Sequence, residues 1–576
     1  MNAILGQFDQ AKQLIALENP FNDANLAIVA NAHLHNYSSL LTKLQLAERG
    51  QRASMDCGLI LAAYKQWGRA CVHHLQGAFA FAIWDKRNQT LFCARDRMGI
   101  YPFYYYRHRT KIAFASAMRP LVRLPYQQLT PNPRWAVDHL CGIWLDKENT
   151  FYNEIYRLPP AHTLTITPNH IQKQRYWDFD LNVQLRLKSD ADYIDAARRH
   201  LTKAVQRTLC NTMHVGLELS GGIDSTTIAA LAYAAQKKQP ALRLSTYSHA
   251  SPAGMAGQQH FRADERANID LVRAHVGIEA SHFYTNEQAT VQPLIRQAFD
   301  LGGGVDRCTF AMLTSGIHAL AAAQGVTVML SGWGGDELVS SRLPTSRYLL
   351  QAHQWWDLWA ELSIGGTVSQ LRTFRKLLVL LREEWVPWGR ATSHQRAEAA
   401  RLARRTAYIQ EQLTAAPELY DYMGAIDWRE RLHHWWQVKG QRPNTYREAQ
   451  YQRLSSAWLT NRLEATAVTA ATSGIDYRYP LLDIDLLTFF LALPVTQKRR
   501  HGQGRYLLRQ ATADWLPEQI RWAKKEPGDL YPWFIHSLQN ELDQDIEPVP
   551  DDAPEEVKFG RLIAQAKREV FRKRLA

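Results

Sequence analysis

The sequence predicts a multidomain α/β protein, and three observations carry that prediction. A chain of 576 residues is too long for one hydrophobic core. Between positions 214 and 330, short apolar strands alternate with helices, a pattern typical of a parallel sheet covered by helices. Two of those strands run into glycine-rich turns, and parallel sheets bind their ligands at the carboxyl ends of strands.

The composition predicts a cytoplasmic protein. Hydrophobic residues make up 46% and charged residues 21% of the chain, as in ordinary globular proteins. The chain contains no apolar run of about 18 residues, so no transmembrane helix is expected. The start, MNAILGQFDQ, does not resemble a signal peptide. The 6 cysteines are scattered without a C-x-x-C pair, which favours free thiols over disulfides or zinc.

The net charge of +13 indicates an anionic partner. ATP or an acidic peptide accounts for this charge as well as nucleic acid does. A basic, solvated surface without a partner is the alternative. Because the chain carries no nucleic-acid motif and no membrane segment, we expect neither nucleic acid nor a membrane as partner.

The stretch 214–230, HVGLELSGGIDSTTIAA, reads as a buried strand, a tight turn at 220–222 and a helix opened by Ser225. Such a junction directs backbone N–H groups and the positive end of the helix dipole at one point, where phosphate can bind. The spacing fits neither the Walker pattern nor the dinucleotide pattern. S-G-G-x-D-S instead resembles the pyrophosphate loop of enzymes that split ATP between its α and β phosphates. An ordinary strand–turn–helix junction is the alternative.

A second glycine-rich turn, SGWGGDE at 331–337, follows the predicted strand 326–330. It places Asp336 at a strand end beside that of Asp224. Two carboxylates together with phosphate oxygens suit Mg²⁺. The alternative is that each aspartate only caps the backbone of its turn.

Residues 1–180 are predicted to form an α+β domain with strands at 26–32, 77–85, 89–94 and 112–115 and a helix at 59–68. The segments AYKQWG, LQGAFAFAIWD, LFCARDRMGIYPFYYY and FYNEIYRLPPAHTL resemble the N-terminal glutaminase domain of asparagine synthetases. That amidase uses an N-terminal cysteine as nucleophile. This chain begins Met1-Asn2-Ala3 and has no cysteine before Cys57. The family's Asn-Gly oxyanion pair would fall on Asn31-Ala32, so the domain is expected to be a structural relic.

The segments SGGIDS, LSGWGGDE, YRYPLLD and KRRHGQGRYLLRQATADWLPEQI resemble the synthetase half of the same superfamily. The resemblance implies a degenerate class II glutamine amidotransferase-like domain of the Ntn type at 1–185. It implies an ATP-pyrophosphatase-type, adenine nucleotide alpha hydrolase-like parallel-sheet domain at 186–576. A large helical insertion at 345–450 is rich in Trp and Arg; most of its aromatic residues are predicted to be core, and some to line a peptide-binding groove.

The resemblance also implies a chemistry and a site. A substrate carboxylate attacks ATP to give an acyl-adenylate and Mg-bound pyrophosphate, and an amine then displaces AMP. The implied Mg²⁺ ligands are Asp224 and Asp336. The residues expected to bind ATP and pyrophosphate are Leu217, Leu219, Ser220, Gly221, Gly222, Asp224, Ser225, Thr246, Ser331 and Gly332.

Further positions discriminate among family members. Trp333 stands where asparagine synthetases have a glutamate and β-lactam synthetases a catalytic tyrosine, and indole cannot relay a proton. Glu464 matches a glutamate that the β-lactam enzymes place sixteen residues before the position of Pro480, and it is the predicted base. The alternative is a helix-surface glutamate near Arg462. Lys525, with Lys524 as rival, matches the lysine that stabilises the oxyanion.

Lasso peptide cyclases resemble this plan of a degenerate amidase, an intact ATP loop and an enlarged helical region. The leading hypothesis is therefore a macrolactam synthetase using ATP and Mg²⁺, which joins an Asp or Glu side chain of a precursor core peptide to its N-terminal amine. The implied partners are that peptide, a leader-peptide-binding protein and a leader peptidase. The alternatives are a β-lactam-synthetase-like or ammonia-dependent ligase of a small substrate, and a non-catalytic binding protein that retains the fold.

Overall fold

The computed structural model describes residues 5–9, 14–17, 20–46, 52–125, 127–210, 212–250, 265–285, 314–363, 370–385, 393–441, 443–500, 502–523 and 565. Within these ranges, no helix is both long and apolar enough to cross a membrane.

Two antiparallel sheets form the centre of the N-terminal domain. The strands are β1 (Leu5–Asp9), β2 (Leu14–Leu17), β3 (Phe21–Asp23), β4 (Leu26–Leu34), β5 (Gly77–Asp85), β6 (Thr90–Arg95), β7 (Tyr104–His108), β8 (Lys111–Ala115), β9 (Ile155–Arg157), β10 (His162–Ile166) and β11 (Ile171–Arg175). One sheet has the order β2-β1-β8-β7-β9 and the other the order β11-β10-β6-β5-β4-β3. The predicted strands are confirmed, with ends shifted by one or two residues.

Side chains of β5 point alternately to the two faces of its sheet, and each face belongs to a different core. Phe79 and Phe81 belong to a core shared with the helix Arg52–Trp67, whereas Ala80 and Ala82 belong to a core shared with the opposite sheet. Successive side chains of a strand point to opposite faces, so a continuous apolar run such as GAFAFAIWD is buried on both sides.

Helices complete the layers of this domain. They are Tyr37–Leu44, Arg52–Trp67, Met118–Val122 and Pro133–Cys141, with a 3₁₀ segment at Gly68–His73. The outer face of β7 and β8 packs against Pro133–Cys141 and against helices of the later helical region, through buried side chains such as Leu413 and Trp428.

A five-stranded parallel sheet forms the second domain, as the alternating pattern predicted. Its strands are β12 (His214–Glu218), β13 (Arg243–His249), β14 (Ser281–Tyr284), β15 (Val328–Leu330) and β16 (Asp476–Arg478), in the order β14-β13-β12-β15-β16. Every neighbouring pair is parallel. Helices Asp190–Leu209, Ile223–Gln236, Arg266–Val276 and Ser315–Ala323 accompany the sheet. Because β12 lies between β13 and β15, the loops that follow β12 and β15 are neighbours.

The fifth strand lies outside the stretch 214–330 whose alternating pattern predicted the sheet. After Gly474, the chain forms β16, which pairs with β15 through Asp476↔Val328 and Arg478↔Leu330. The segment DYR has only three residues, too few for its single buried apolar residue, Tyr477, to predict a strand. Its extended form is set by pairing with β15, which a local pattern does not reveal.

The helical region contains Ser346–Gln351, Trp355–Leu362, Gln370–Trp385, Ser393–Ala415, Leu419–Met423, Trp428–Gly440 and Tyr446–Leu454. The prediction that most of its aromatic residues are core is wrong: among those described, Trp428 and Tyr446 are buried and the others are partly or fully exposed. Trp355, Trp356 and Trp359 are exposed, and 89% of the surface of Trp356 is accessible to solvent. Their helix buries Leu358 and Leu362 instead, so the indoles point outward.

The chain then continues through Ala457–Ala471, a 3₁₀ turn at Pro480–Leu482, Ile484–Ala492, Val495–Lys498, the short ribbon β17 (Arg499–Arg500) and β18 (Gln503–Gly504), Tyr506–Ala511 and Glu518–Trp522. One buried apolar cluster runs from the inner face of β5 to the parallel sheet, so the two domains share a core. A boundary between residues 185 and 186 stays a prediction.

Candidate active site

The first glycine-rich loop, residues 220–222, joins β12 to the helix Ile223–Gln236. Gly221 has a φ of 66°, and a Cβ there would lie 2.7 Å from the Cβ of Asn268, so this position requires glycine. The Ser225 hydroxyl accepts a hydrogen bond from the Ser220 backbone N–H at 3.2 Å and lies 3.1 Å from the Ser220 hydroxyl. The loop therefore folds back onto the first turn of its helix, where N–H groups and the dipole favour an anion.

The second loop, residues 331–334, leads from β15 into a single turn of π-helix, Gly335–Val339. The two loops pack directly on each other. A Cβ at Gly332 would lie 3.1 Å from the Ser225 backbone nitrogen, and one at Gly335 would lie 2.6 Å from the Cγ of Asp224. Glycines at 332 and 335 thus allow the two turns to approach closely enough to form one site.

The two predicted aspartates meet across one hydroxyl. The Ser340 hydroxyl lies 2.7 Å from Oδ2 of Asp224 and 3.5 Å from Oδ1 of Asp336. Nη2 of Arg505 donates to the same Asp336 oxygen at 2.7 Å, and its Nε donates to the backbone carbonyl of Ser340 at 3.0 Å. Ser340 and Arg505 therefore fix the geometry of the carboxylate pair, and Arg505 offsets part of its negative charge.

Arg505 adopts an unusual backbone conformation, with a φ of 63°. A non-glycine residue in this region is strained, and such residues concentrate at functional sites. Arg505 is also buried. Its segment, GQGRYLL, is part of the resemblance noted above, but no local pattern connects Arg505 with Asp336.

Four more of the residues expected to bind ATP and pyrophosphate lie together at the carboxyl end of the sheet. Leu217 pairs with Thr246 of β13 on one side and with Leu330 of β15 on the other. Both Leu217 and Thr246 are fully buried. The Leu219 N–H donates to the Tyr247 carbonyl, and the Ser331 N–H to the Arg478 carbonyl. Their contact with a nucleotide stays a prediction.

The donor set at the loops fits Mg²⁺ that arrives bound to phosphate. Magnesium prefers oxygen ligands and often takes one or two carboxylates together with phosphate oxygens and water. In the described part of the chain, no group of three or more His, Cys, Asp and Glu side chains is placed to hold a metal ion. Asp224 and Asp336 alone are an incomplete shell, which suits an ion completed by a nucleotide.

Glu464, the predicted base, is the centre of a buried ion-pair cluster and not a helix-surface residue. Its Oε1 accepts from Nη1 of Arg95 at 2.7 Å, and its Oε2 accepts from Nε of Arg157 at 2.7 Å. The Tyr104 hydroxyl donates to Oε2 at 3.1 Å. All three donors come from the N-terminal domain, while Glu464 lies on the helix Ala457–Ala471. Both oxygens are therefore engaged, and the role of Glu464 as a base stays a prediction.

Two other predicted positions have different outcomes. Lys525 and its rival Lys524 lie outside the described residues, so the oxyanion role stays a prediction. Trp333 is half-buried, and its indole packs against that of Trp458 with ring centroids 5.6 Å apart.

The described cysteines of the N-terminal domain are not activated nucleophiles. Burial, followed by the negative charge of Asp56, raises the pKa of Cys57 to about 11. Burial raises the pKa of Cys71 and of Cys141 to about 12. A thiol with such a pKa is almost entirely protonated near neutral pH and is a poor nucleophile. Asn31, the predicted oxyanion-pair residue, lies buried on β4 beside Ala32.

Sequence reasoning missed the residues that support the site. Ser340 and Arg505 hold the aspartates, and Arg95 and Arg157 hold Glu464. Arg95 lies in the segment LFCARDRMGIYPFYYY, which was used only to recognise the N-terminal domain. Nothing in that segment identifies the partner of Arg95, which lies 369 positions further along the chain.

Comparisons with known proteins agree with this architecture. The family model described as Asparagine synthase matches residues 196–576, and the model described as Glutamine amidotransferase domain matches residues 3–177. The first match covers more than half of the chain. The chain therefore belongs to the asparagine synthase family and carries a glutamine amidotransferase-like domain at its N-terminal side.

Several curated proteins are similar to this chain. Amidase chry2 of Gibberella zeae is 29% identical over 337 residues, covering 55% of this chain and 48% of the amidase. Amidase chyE of Penicillium rubens is 29% identical over 335 residues, with the same coverage. The chain thus spans about half the length of these two amidases. Asparagine synthetase [glutamine-hydrolyzing] 3 of Bacillus subtilis is 24% identical over 538 residues, covering 88% of this chain and 76% of the synthetase.

Proposed function

We propose that this protein is an ATP-dependent, AMP-forming amide ligase. The observation that carries the proposal is the meeting of Asp224 and Asp336 at neighbouring parallel strand ends, bridged by Ser340 beside a glycine-rich loop. Such an arrangement suits a nucleotide whose phosphates lie on the loop.

Each part of the site has a task in this proposal. The loop at 220–222 and the hydroxyls of Ser220 and Ser225 bind the pyrophosphate portion of ATP. Asp224 and Asp336 hold Mg²⁺, which supplies positive charge to the phosphates. Arg505 and Ser340 keep the two carboxylates in place. The packing of the second loop against Ser225 keeps the two halves of the site together.

The nitrogen does not come from glutamine in this proposal. Cys57 and the other described thiols of the N-terminal domain are held protonated by burial, and Ala32 replaces the glycine of the oxyanion pair. Trp333 removes the proton-relaying side chain that relatives carry in the second loop. An amine that arrives with the substrate is compatible with all three features.

We further propose that the substrate is a precursor core peptide and that the product is a macrolactam, as in lasso peptide cyclases. The ligase activates an Asp or Glu side-chain carboxylate, and the N-terminal amine of the same peptide closes the ring. The outward indoles Trp355, Trp356 and Trp359 support a peptide-sized ligand, because exposed tryptophans are enriched where proteins bind partners. A leader-binding protein and a leader peptidase would deliver the peptide.

Glu464 and Lys525 are the proposed catalytic pair, as base and oxyanion stabiliser. For Glu464 to accept a proton from the amine, at least one of its oxygens must exchange a donor. The Tyr104 hydroxyl, at 3.1 Å, is the longest of the three contacts and the one whose exchange leaves both arginine pairs intact.

The test is an incubation with a leader-free peptide, ATP and Mg²⁺, with an acidic residue about seven to nine positions from the free amine. This ring size is what the resemblance to lasso peptide cyclases implies. Release of AMP and pyrophosphate with a product lighter by one water would support the proposal. Formation of ADP, or AMP release without loss of water from the peptide, would contradict it.

A ligase of small substrates is the second candidate, favoured by the asparagine synthetase of Bacillus subtilis that aligns with 88% of this chain. It predicts that ammonium and aspartate alone sustain AMP formation. Ammonium-dependent turnover without any peptide would favour this candidate over the macrolactam synthetase, and its absence would exclude the ammonia-dependent form.

A further inference from the structure

Arg462 occupies an unusual position beside the second loop. It lies on the helix Ala457–Ala471, is 4% exposed, and its guanidinium carbon is 4.6 Å from the centroid of the Trp333 indole. Trp333 in turn packs against Trp458. The guanidinium therefore lies over an aromatic face that holds it in one orientation.

Two donor nitrogens of Arg462 are unsatisfied within the part of the chain that the structure describes. Its Nε and Nη1 are buried, and neither has a hydrogen-bond partner among the described residues. Arg95, a comparable buried arginine that is paired with Glu464, donates through all three of its nitrogens. Buried arginines are normally paired, because an unpaired charge loses its hydration without compensation. Arg462 therefore has the properties of an anion-binding residue.

The described surroundings of Arg462 include two histidines and the carboxylate of Glu218. Burial, followed by the positive charge of Arg462, lowers the pKa of His249 to about 4 and that of His318 to about 3, so these histidines are neutral near pH 7. Glu218, the carboxylate in this cluster, accepts a hydrogen bond from the Tyr477 hydroxyl at 2.6 Å. Nε and Nη1 of Arg462 are thus open to an anionic ligand.

The location connects Arg462 with the proposed chemistry. Trp333 follows Gly332, whose backbone packs against Ser225 of the phosphate loop. The helix that carries Arg462 also carries Glu464. An anion bound by Arg462 would therefore lie beside the second loop, next to Trp333.

We propose that Arg462, oriented by Trp333, binds the carboxylate of the acyl substrate, the group that is to be adenylated. This inference rests on the proposed function and adds the group that recognises the acidic side chain. A guanidinium has several donors in a fixed plane and matches the two oxygens of a carboxylate. Trp333, which cannot relay a proton, thereby acquires a positioning role.

The test uses the full chain and direct binding, so it does not depend on turnover. The nucleotide probe is α,β-methylene-ATP with Mg²⁺, and the carboxylate probe is N-acetyl-aspartate α-amide, with N-acetyl-asparagine α-amide as its uncharged counterpart. Calorimetric titration compares the wild-type chain with Arg462→Met and Arg462→Lys. Arg401→Met, at an exposed arginine of another helix, is the matched control.

We expect the nucleotide-loaded wild-type chain to bind the carboxylate probe and not the amide probe. Arg462→Met should raise the Kd of the carboxylate probe at least tenfold, and Arg462→Lys should raise it less. The Kd of the nucleotide probe should stay within twofold of the wild-type value in both variants. Equal binding of the carboxylate probe by wild type and Arg462→Met, or no binding by the wild-type chain, would overturn the inference. A nucleotide Kd raised tenfold in both variants would also overturn it, because Arg462 would then bind a phosphate.

Failure of the proposed function looks different. If the peptide gives neither AMP nor a dehydrated product while the carboxylate probe still depends on Arg462, the binding site stands and the macrolactam activity does not. If AMP and the dehydrated product form but Arg462→Met binds the carboxylate probe normally, the activity stands and the inference falls. Arg462→Lys retains the charge, so it reports on binding even if the methionine variant does not fold.

Discussion

Nη1 of Arg95 lies 2.7 Å from Oε1 of Glu464, and both side chains are buried. The arginine belongs to the N-terminal domain and the glutamate to a helix beside the parallel sheet. Arg157, also from the N-terminal domain, holds the other oxygen of Glu464 at 2.7 Å. A domain without an activated thiol among its described residues therefore still contributes to the candidate active site, because it positions a side chain there.

Breaking this ion pair should destabilise the whole molecule. For Arg95→Met we expect a loss of roughly 3 kcal/mol in the free energy of unfolding, the low end for a broken buried pair, because Arg157 still holds Glu464. Urea unfolding measures the change. The control is Arg401→Met, which removes an exposed partner of Glu398 and should be neutral. A loss no larger in Arg95→Met than in the control would contradict the assigned interaction.

Replacing either aspartate of the loops should abolish turnover without unfolding the chain. We expect Asp224→Asn and Asp336→Asn each to lower the rate of AMP formation by a factor on the order of 100 or more, because charge stabilisation at the phosphates is lost. Asp270→Asn, on the exposed side of the helix Arg266–Val276, is the matched control. Wild-type rates in both loop variants would mean that the aspartates only cap their turns.

The first loop should not tolerate a side chain at Gly221. Alanine there is strained by about 1–2 kcal/mol at positive φ and would also press on Asn268. We expect Gly221→Ala to weaken nucleotide binding in calorimetry and to lower the Tm. Gly440→Ala, at a helical glycine with open space around it, should leave both unchanged. Unaltered nucleotide affinity in Gly221→Ala would show that the loop geometry is not needed.

The thiol of Cys57 should react slowly with alkylating reagents. Its pKa of about 11 leaves roughly one thiolate in a thousand at pH 8, and reactivity should rise as the pH approaches that pKa. Cys210 is exposed and should be labelled first. Peptide mapping after brief iodoacetamide treatment measures both sites. If Cys57 were labelled as fast as Cys210 at pH 8, its thiol would not be held protonated, and Cys57 would again be a candidate nucleophile.

Local patterns were enough to predict the core of the site. Each loop is a strand, a glycine turn and a following helical turn, and these signals lie within about a dozen residues. The parallel order of the sheet then brings Asp224 and Asp336 together, because loops after adjacent parallel strands share an edge.

Long-range partners could not be predicted in the same way. The contact between Arg95 and Glu464 depends on how two domains pack, and no local pattern encodes it. The strand β16 is extended only because β15 pairs with it. The exposure of Trp356 depends on which face of its helix packs against the rest of the protein. Composition does not specify that face.

The most direct test of the central claim follows one oxygen atom. A leader-free peptide is prepared with oxygen-18 at both oxygens of its acidic side-chain carboxylate. It is incubated with the protein, ATP and Mg²⁺. If the carboxylate attacks the α phosphate and the amine displaces AMP, each released AMP carries one oxygen-18, and the cyclised peptide keeps the other. Unlabelled AMP, or oxygen-18 in released phosphate, would contradict the account.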